Sequence, residues 1–266
     1  MQNIPGKTAS RIPCGYAYLI IGPNGFPLKP VTVYRGSDAV DHFITSIVRE
    51  KDILAKKLHT ITPMHMTTRD LEEFQKVTHC NLCKKWLGKD RGLGKLQDHE
   101  IDVIPNNIEN YISFSIRRKE NPVTLQFVNS FQFLNTSLQK LVENLDHSKF
   151  SIMQSCFSSP HRHLLLKKGI YPYEYMSSFS KFEETQLPPR SAFHSSLVNE
   201  GISEADYEHA QNVRKCFEIK NLGEYHDLYV KTDVILLSDV FENFRKLTQN
   251  FYQLDAAHML TSPGLP

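Results

Sequence analysis

Residues 222–246 read LGEYHDLYVKTDVILLSDVFENFRK. From Gly223 to about Tyr252 the apolar positions Tyr225, Leu228, Tyr229, Leu236, Val240, Phe241, Phe244, Leu247 and Phe251 fit one helical stripe, which predicts a long amphipathic helix broken at most once. Tyr229 and Asp233 stand on it as Tyr-x-x-x-Asp. That spacing puts phenol and carboxylate on one helix face, about 5 to 6 Å apart at Cβ. There a carboxylate can bind a divalent ion while the phenol orients a metal-bound water. A core aromatic beside a surface acid has the same spacing, so the pair by itself decides nothing.

Working outward, the preceding segment from Gly169 to Arg190 is too rich in proline for regular structure and too aromatic for a flexible linker; it predicts an ordered loop packed on a neighbour. Ser203 and Asp206 form a capping box that opens a helix through about Phe217. Ser137–Leu145 reads as a helix with Leu138, Leu141, Val142 and Leu145 on one face. Before it, Ile101–Ile104, Tyr111–Ile116 and Thr124–Val128 read as three short strands, with Pro105-Asn106-Asn107 and Glu120-Asn121-Pro122 as turns. Near the N-terminus, β-rich runs at Tyr16–Ile21 and Val31–Tyr34 flank Gly22-Pro23-Asn24-Gly25 and predict a hairpin. Ser37 and Asp38 open a helix to about Leu58, and Thr67 with Asp70 opens another running to His79. Gly88, Gly92 and Gly94 mark a junction. The alternation is an α/β pattern, in two regions, 1–91 and 92–266.

Composition bounds the function. With 266 residues, 40% of them hydrophobic, the chain can bury a substantial core, and no apolar run reaches the roughly 18 to 20 residues of a membrane span. The first residues fit neither a signal peptide nor a transit peptide, so the expectation is an intracellular protein with no membrane partner. Five cysteines, Cys14, Cys80, Cys83, Cys156 and Cys216, are too few and too scattered for a secreted disulfide framework; reduced thiols are expected. Net charge is only +2, but it is graded: residues 1–100 carry 15 Lys/Arg against 10 Asp/Glu, and residues 200–266 carry 6 against 11. A basic front suits phosphates and an acidic back suits divalent cations, although a solvated surface shows the same pattern.

Cys80-x-x-Cys83, with His79 beside it and His99 downstream, has the spacing of half a zinc knuckle, and tetrahedral zinc needs four ligands. Zn²⁺ held with His79 or His99, or two reduced structural thiols, are the two readings. Asp98-His99-Glu100 with Asp102 would place three acids on one face of a strand, either as a metal site or facing solvent. The short basic runs Lys84-Lys85, Arg117-Arg118-Lys119 and Lys167-Lys168-Gly169, beside aromatics such as Tyr171 and Tyr173, suit contact with single-stranded DNA and equally suit ordinary surface charge. No glycine-rich phosphate loop or haem attachment motif occurs.

The run at 222–246 resembles the third exonuclease motif of family B DNA polymerases, in the protein-primed branch of viruses, organellar linear plasmids and self-synthesising transposons. Other blocks resemble the same family in the same order: IDVIPNNIENYISFS at 101–115, FVNSFQFLNTSLQKLVENL at 127–145, the stretch 166–197 beginning LKKGIYPYEY, and SPGLP at 262–266. PCGYAYLII at 13–21, VYRGSDAVDHFI at 33–44 and THCNLCKKWLG at 78–88 look like the segments that precede them there. The resemblance implies an RNase H-like α/β 3′→5′ exonuclease fold, with Asp233 as a ligand of Mg²⁺ or Mn²⁺ and Tyr229 positioning the attacking water. It also implies DNA with a single-stranded 3′ end as partner, and a terminal-protein primer in the full-length family.

This sequence departs from the family pattern in four places. The family's first motif, Asp-x-Glu, would lie before PCGYAY, and the second, an Asn followed by Phe/Tyr-Asp, would fall where Lys89-Asp90-Arg91 passes directly into Gly92-Leu93-Gly94. A deletion or skipped exon at Arg91–Gly92 accounts for that, and it also removes the Cys-x-x-Cys half that relatives use to complete the zinc cluster. Asn129 stands where relatives have Asp in Phe-x-Asp-Ser-Phe. Neither Asp-x-x-Ser-Leu-Tyr-Pro nor Asp-Thr-Asp-Ser, the polymerase palm motifs, is present. The expectation is a fragment of a DNA-directed DNA polymerase, covering the exonuclease region and inactive alone. A metal-dependent nuclease using Asp233 with Asp98, Glu100 or Asp102, and a non-catalytic single-stranded DNA-binding module, are the alternatives.

Overall fold

Gly22-Pro23-Asn24-Gly25 turns the chain back on itself, and Gly25 takes the positive φ of 76° that a side chain disfavours. The Gly25 N–H donates to Gly22 O at 3.0 Å and the Leu28 N–H to Ile20 O at 2.9 Å. The turn leads from β1 (Gly15–Tyr18) to β2 (Thr32–Arg35), paired antiparallel with Tyr16 opposite Tyr34. This is the expected hairpin, with its first strand ending at Tyr18 instead of Ile21 and its second strand one residue later. Helix α1 (Ala39–Leu58) follows as expected, its last turn basic at Lys56 and Lys57.

A computed structural model describes residues 12–58, 100–105, 111–118, 121–158, 160–196 and 199–259. They fall in two units, one drawn from residues 1–45 and 129–266 and the other from 46–128. The helix expected over Thr67–His79, Cys80, Cys83, Asp98, His99 and the Arg91–Gly92 junction lie outside the described residues. The three described cysteines, Cys14, Cys156 and Cys216, are free thiols. No helix among the described residues is long and apolar enough to cross a membrane.

The second unit holds β3 (Glu100–Pro105), β4 (Tyr111–Arg118) and β5 (Asn121–Val128) in an antiparallel meander of that order. The turn expected at Glu120-Asn121-Pro122 is tighter: Asn121 already pairs with Arg118 as the first residue of β5. Pro122 is tolerated because it has no register partner in β4, falling at the irregularity between Arg118 and Ile116, in a strand that is an edge among the described residues. All strand pairs among the described residues are antiparallel, so the β part of this α and β chain is a meander and a hairpin.

The first unit is built around four helices. Asn129 caps a 3₁₀ turn by accepting the Phe131 N–H at 3.0 Å, so an amide fills that position with its carbonyl oxygen. Ser137 caps α2 (Leu138–Glu143), and α3 (Ser151–Cys156) follows a second 3₁₀ turn capped by Asp146. Ser203 caps α4 (Glu204–Cys216) through the Asp206 N–H, and Lys167 grips the Asp206 carboxylate at 2.6 Å. Helix α5 (Leu222–Tyr252) is capped by Asn221, while Glu224 reaches back to the Lys220 N–H. The break allowed for in α5 does not occur: nothing between Glu224 and Tyr252 is Gly or Pro, so 31 residues run unbroken over about 46 Å. It ends where Gln253 turns left-handed, at φ 57°. Arg245 then locks the exit, forking onto Asp255 and bonding Glu242.

Phe150, Ile152 and Met153 of the α3 region are fully buried against Ile235 and Leu236 of α5, and Val142, Phe157, Leu165, Val213 and Val240 complete that core. Inside it sits one acid. Asp239 is fully buried, and its two oxygens accept the N–H groups of Ile152 and Met153 at 2.8 Å each, capping a helix start that has no cap of its own. Burial pushes the carboxyl up to about 6 even though both N–H groups pull it down.

Asp239→Ala leaves two buried N–H groups without an acceptor. Denaturant unfolding should show a loss of about 2 to 5 kcal/mol, and a loss below about 0.5 kcal/mol would remove Asp239 from the core's supports.

Candidate functional site

The first half of α5 carries Tyr225, His226, Tyr229 and Asp233 toward the segment Lys168–Tyr173. That segment is the aromatic loop expected to pack on a neighbour, and α5 is the neighbour. It is held at its start by the Tyr225 hydroxyl, which donates to Ile170 O at 2.7 Å. Further along, Phe182 is buried, and Glu184 accepts from Lys181 and Tyr175 while its carbonyl accepts the Leu222 N–H. Gly169 permits the close approach: a Cβ there would lie 2.9 Å from the Tyr229 ring.

Tyr229 and Asp233 share one face of α5, as their spacing predicts, and a third residue joins them. The Lys168 ammonium donates to Tyr229 Oη at 2.6 Å and to Asp233 Oδ2 at 2.7 Å. The Tyr173 hydroxyl meets the Tyr229 hydroxyl at 2.5 Å, and the Tyr171 ring stacks on Tyr229 with centroids 4.8 Å apart. Burial, the Asp233 charge and the Tyr173 bond push the Tyr229 phenol well above its ordinary range, so it stays protonated. Asp233 Oδ1 is buried without a hydrogen-bond partner among the described residues. Three polar contacts thus converge on the phenol and carboxylate, and one acceptor is left over.

Behind this cluster lies a second layer. The His226 Nδ1 and the Tyr171 hydroxyl are 2.7 Å apart, and the imidazole is buried edge-on to Phe182. Burial and the nearby Arg35 charge push His226 down to about 4, so it is neutral at pH 7. Two glycines make room here: a Cβ on Gly15 would come 3.1 Å from His226 Nε2, and one on Gly223 would come 1.4 Å from Arg35 Nη1. The hairpin therefore seats against the start of α5 with Arg35 over Phe182 and 3.7 Å from Asp227.

The donor set offered to a divalent ion is small. One carboxylate faces the cluster, one of its oxygens is already in an ion pair, and no group of three or more His, Cys, Asp or Glu converges among the described residues. A hard cation of the Mg²⁺ kind wants six oxygens, and a pair of such ions needs carboxylates enough to hold both. Asp233 alone does not fit a two-metal centre. Glu100 and Asp102 lie two residues apart on β3, opposite Arg117 and Ser115, in the other unit.

Lys168 is the residue that the spacing argument passed over, because a Lys-Lys pair reads as surface charge. The signal available in the sequence was Gly169 beside it, a residue that permits a close backbone approach. No family model, no curated protein and no solved structure matches the chain.

A buried neutral histidine makes the site acid-sensitive. His226 favours its neutral form in the fold, so its contribution is complete above about pH 6.5 and is lost as pH falls toward 4, by about 3 kcal/mol in all. Asp239 acts with the opposite sign, because its raised pKa favours the fold at low pH, so the comparison must be with His226→Gln. The stability gap between the two proteins should narrow from pH 7 to pH 4 in thermal melts; a constant gap would mean that His226 carries no such burden.

Proposed function

We propose that this chain is the exonuclease region of a protein-primed family B DNA polymerase, acting in DNA replication as a strand-binding element with no hydrolysis of its own. The observation that carries the reading is the Lys168–Tyr229–Asp233 cluster, in which the Tyr-x-x-x-Asp pair of the third exonuclease motif shares one ammonium. The ordered series of family-like blocks across the sequence supports it. The RNase H-like fold, the DNA partner with its single-stranded 3′ end and the ancestral use of Mg²⁺ or Mn²⁺ belong to the same proposal, as does Zn²⁺ at Cys80 and Cys83.

Silence in hydrolysis has an electrostatic cause. Two-metal phosphoryl chemistry needs carboxylates enough to hold both ions and neutralise the developing charge. Among the described residues one carboxylate faces the cluster, and one of its oxygens is already paired with the Lys168 ammonium. The palm motifs are absent from these 266 residues, so nucleotide addition is not a property of them. What the cluster retains is a fixed cation beside three phenols, Tyr171, Tyr173 and Tyr229, a combination suited to the sugar, phosphate and base of a single strand.

The test is a 3′-labelled single-stranded oligonucleotide incubated with magnesium or manganese, for wild type and Asp233→Ala. Wild type should bind the strand with affinity that falls as salt rises, and should shorten it no faster than the variant does. Metal-dependent shortening that Asp233→Ala abolishes would reveal a working nuclease and overturn this reading.

A further inference from the structure

Away from the tyrosine cluster, a surface pocket of about 270 Å³ opens between α3 and the 3₁₀ segment Pro160–Leu165, lined by Gln154, Ser158, Pro160, Arg162, His163 and Leu166. Its walls contain no carboxylate. Arg162 donates through Nη1 to Phe157 O at 3.1 Å and, at 3.5 Å, to Gln154 O, which fixes the guanidinium plane. Its Nε and Nη2 meet no acceptor among the described residues, and it forms no ion pair there. His163 places Nδ1 3.2 Å from Pro160 O, so that nitrogen carries the proton and Nε2 of the neutral ring is an acceptor that offers an anion no hydrogen bond. Ser158 and Gln154 add a hydroxyl and an amide.

We propose that this pocket binds a phosphate group. An arginine whose plane is set by backbone carbonyls is pre-organised for bidentate contact with a phosphate, and neutral hydrogen-bonding side chains beside it suit the remaining oxygens. A carboxylate ligand would use the same fork. Phosphate is favoured because the pocket also offers the Ser158 hydroxyl and the Gln154 amide to further oxygens, more than one carboxylate needs. The pocket wall at Leu166 is two residues from Lys168, a reach of at most about 7 Å along the chain. A strand whose end lies at Tyr229 can therefore set an inner phosphate here, an extension that rests on the DNA reading above, whereas phosphate binding itself does not.

The experiment measures three probes on the full chain: a fluorescent ten-residue oligothymidylate, thymidine 5′-monophosphate and inorganic phosphate, each with wild type, Arg162→Gln and His163→Ala. Thermal melting checks folding, and Arg162→Lys, which keeps the charge but loses the fork, replaces Arg162→Gln should that variant melt early. The proposal expects Arg162→Gln to weaken the oligonucleotide about tenfold and to flatten its salt dependence by about 0.7 in log–log slope, with little change for His163→Ala, whose free ring nitrogen is an acceptor. Equal binding of all three probes by wild type and Arg162→Gln overturns the pocket while leaving the DNA reading intact. Monophosphate binding that needs Arg162, with no oligonucleotide binding, upholds the pocket and overturns the DNA reading. Binding of none of the three probes overturns both.

Discussion

The carboxylate of Asp239 accepts two backbone N–H groups at the start of α3 from the middle of α5, and the hydrophobic core closes around that contact. A short six-residue helix has little stability of its own. It persists because the acid satisfies its first amides while Ile152 and Met153 bury their side chains completely. The same contact fixes the register of α5, since Ile235 and Leu236, one turn earlier, pack on the residues that α3 presents. The face of α5 that carries Tyr229 and Asp233 is therefore set by a polar contact two turns further along.

The cluster on that face is organised by charge as much as by packing. Lys168 reaches two oxygens that four-residue helical spacing brings together, and it can do so because Gly169 lets the chain pass close to the Tyr229 ring. Tyr171 and Tyr173 then close around the phenol, one stacked and one edge-on. His226 anchors Tyr171 from behind and must be neutral to do so cheaply, because burial and Arg35 both oppose its proton. Each element of the site thus depends on a group that is silent in a motif search: a glycine, a buried imidazole, a lysine in a doublet.

How legible this was in the sequence varies by element, for physical reasons. Period and caps announced α1, α2, α4 and α5, because amphipathic helices write their buried face at fixed spacing and Ser137 and Ser203 mark their own starts. The hairpin was legible from its turn, and the meander from its β-rich runs, with errors at Pro105, which closes β3, and at Asn121 and Pro122, which open β5, because strand ends and edge strands admit proline. Helix α3 was not legible: six residues give less than two full turns of pattern, and its cap comes from Asp239, 87 positions away from Ile152. In the candidate site the Tyr229–Asp233 pair followed from spacing. Lys168 did not, since a tertiary contact across 65 positions leaves no local period.

Helix α5 holds its phenol–carboxylate pair, its buried acid and its terminal arginine on one uninterrupted rod. A rod of 3.6 residues per turn converts length into angle, so one residue gained or lost rotates everything beyond it by about 100°. An insertion between Asp233 and Asp239 would leave the tyrosine cluster assembled while swinging the acid away from the amides of α3. Side chains along α5 can be exchanged one at a time for local effects, but the spacing between its functional positions behaves as a single quantity that evolution or engineering changes all at once.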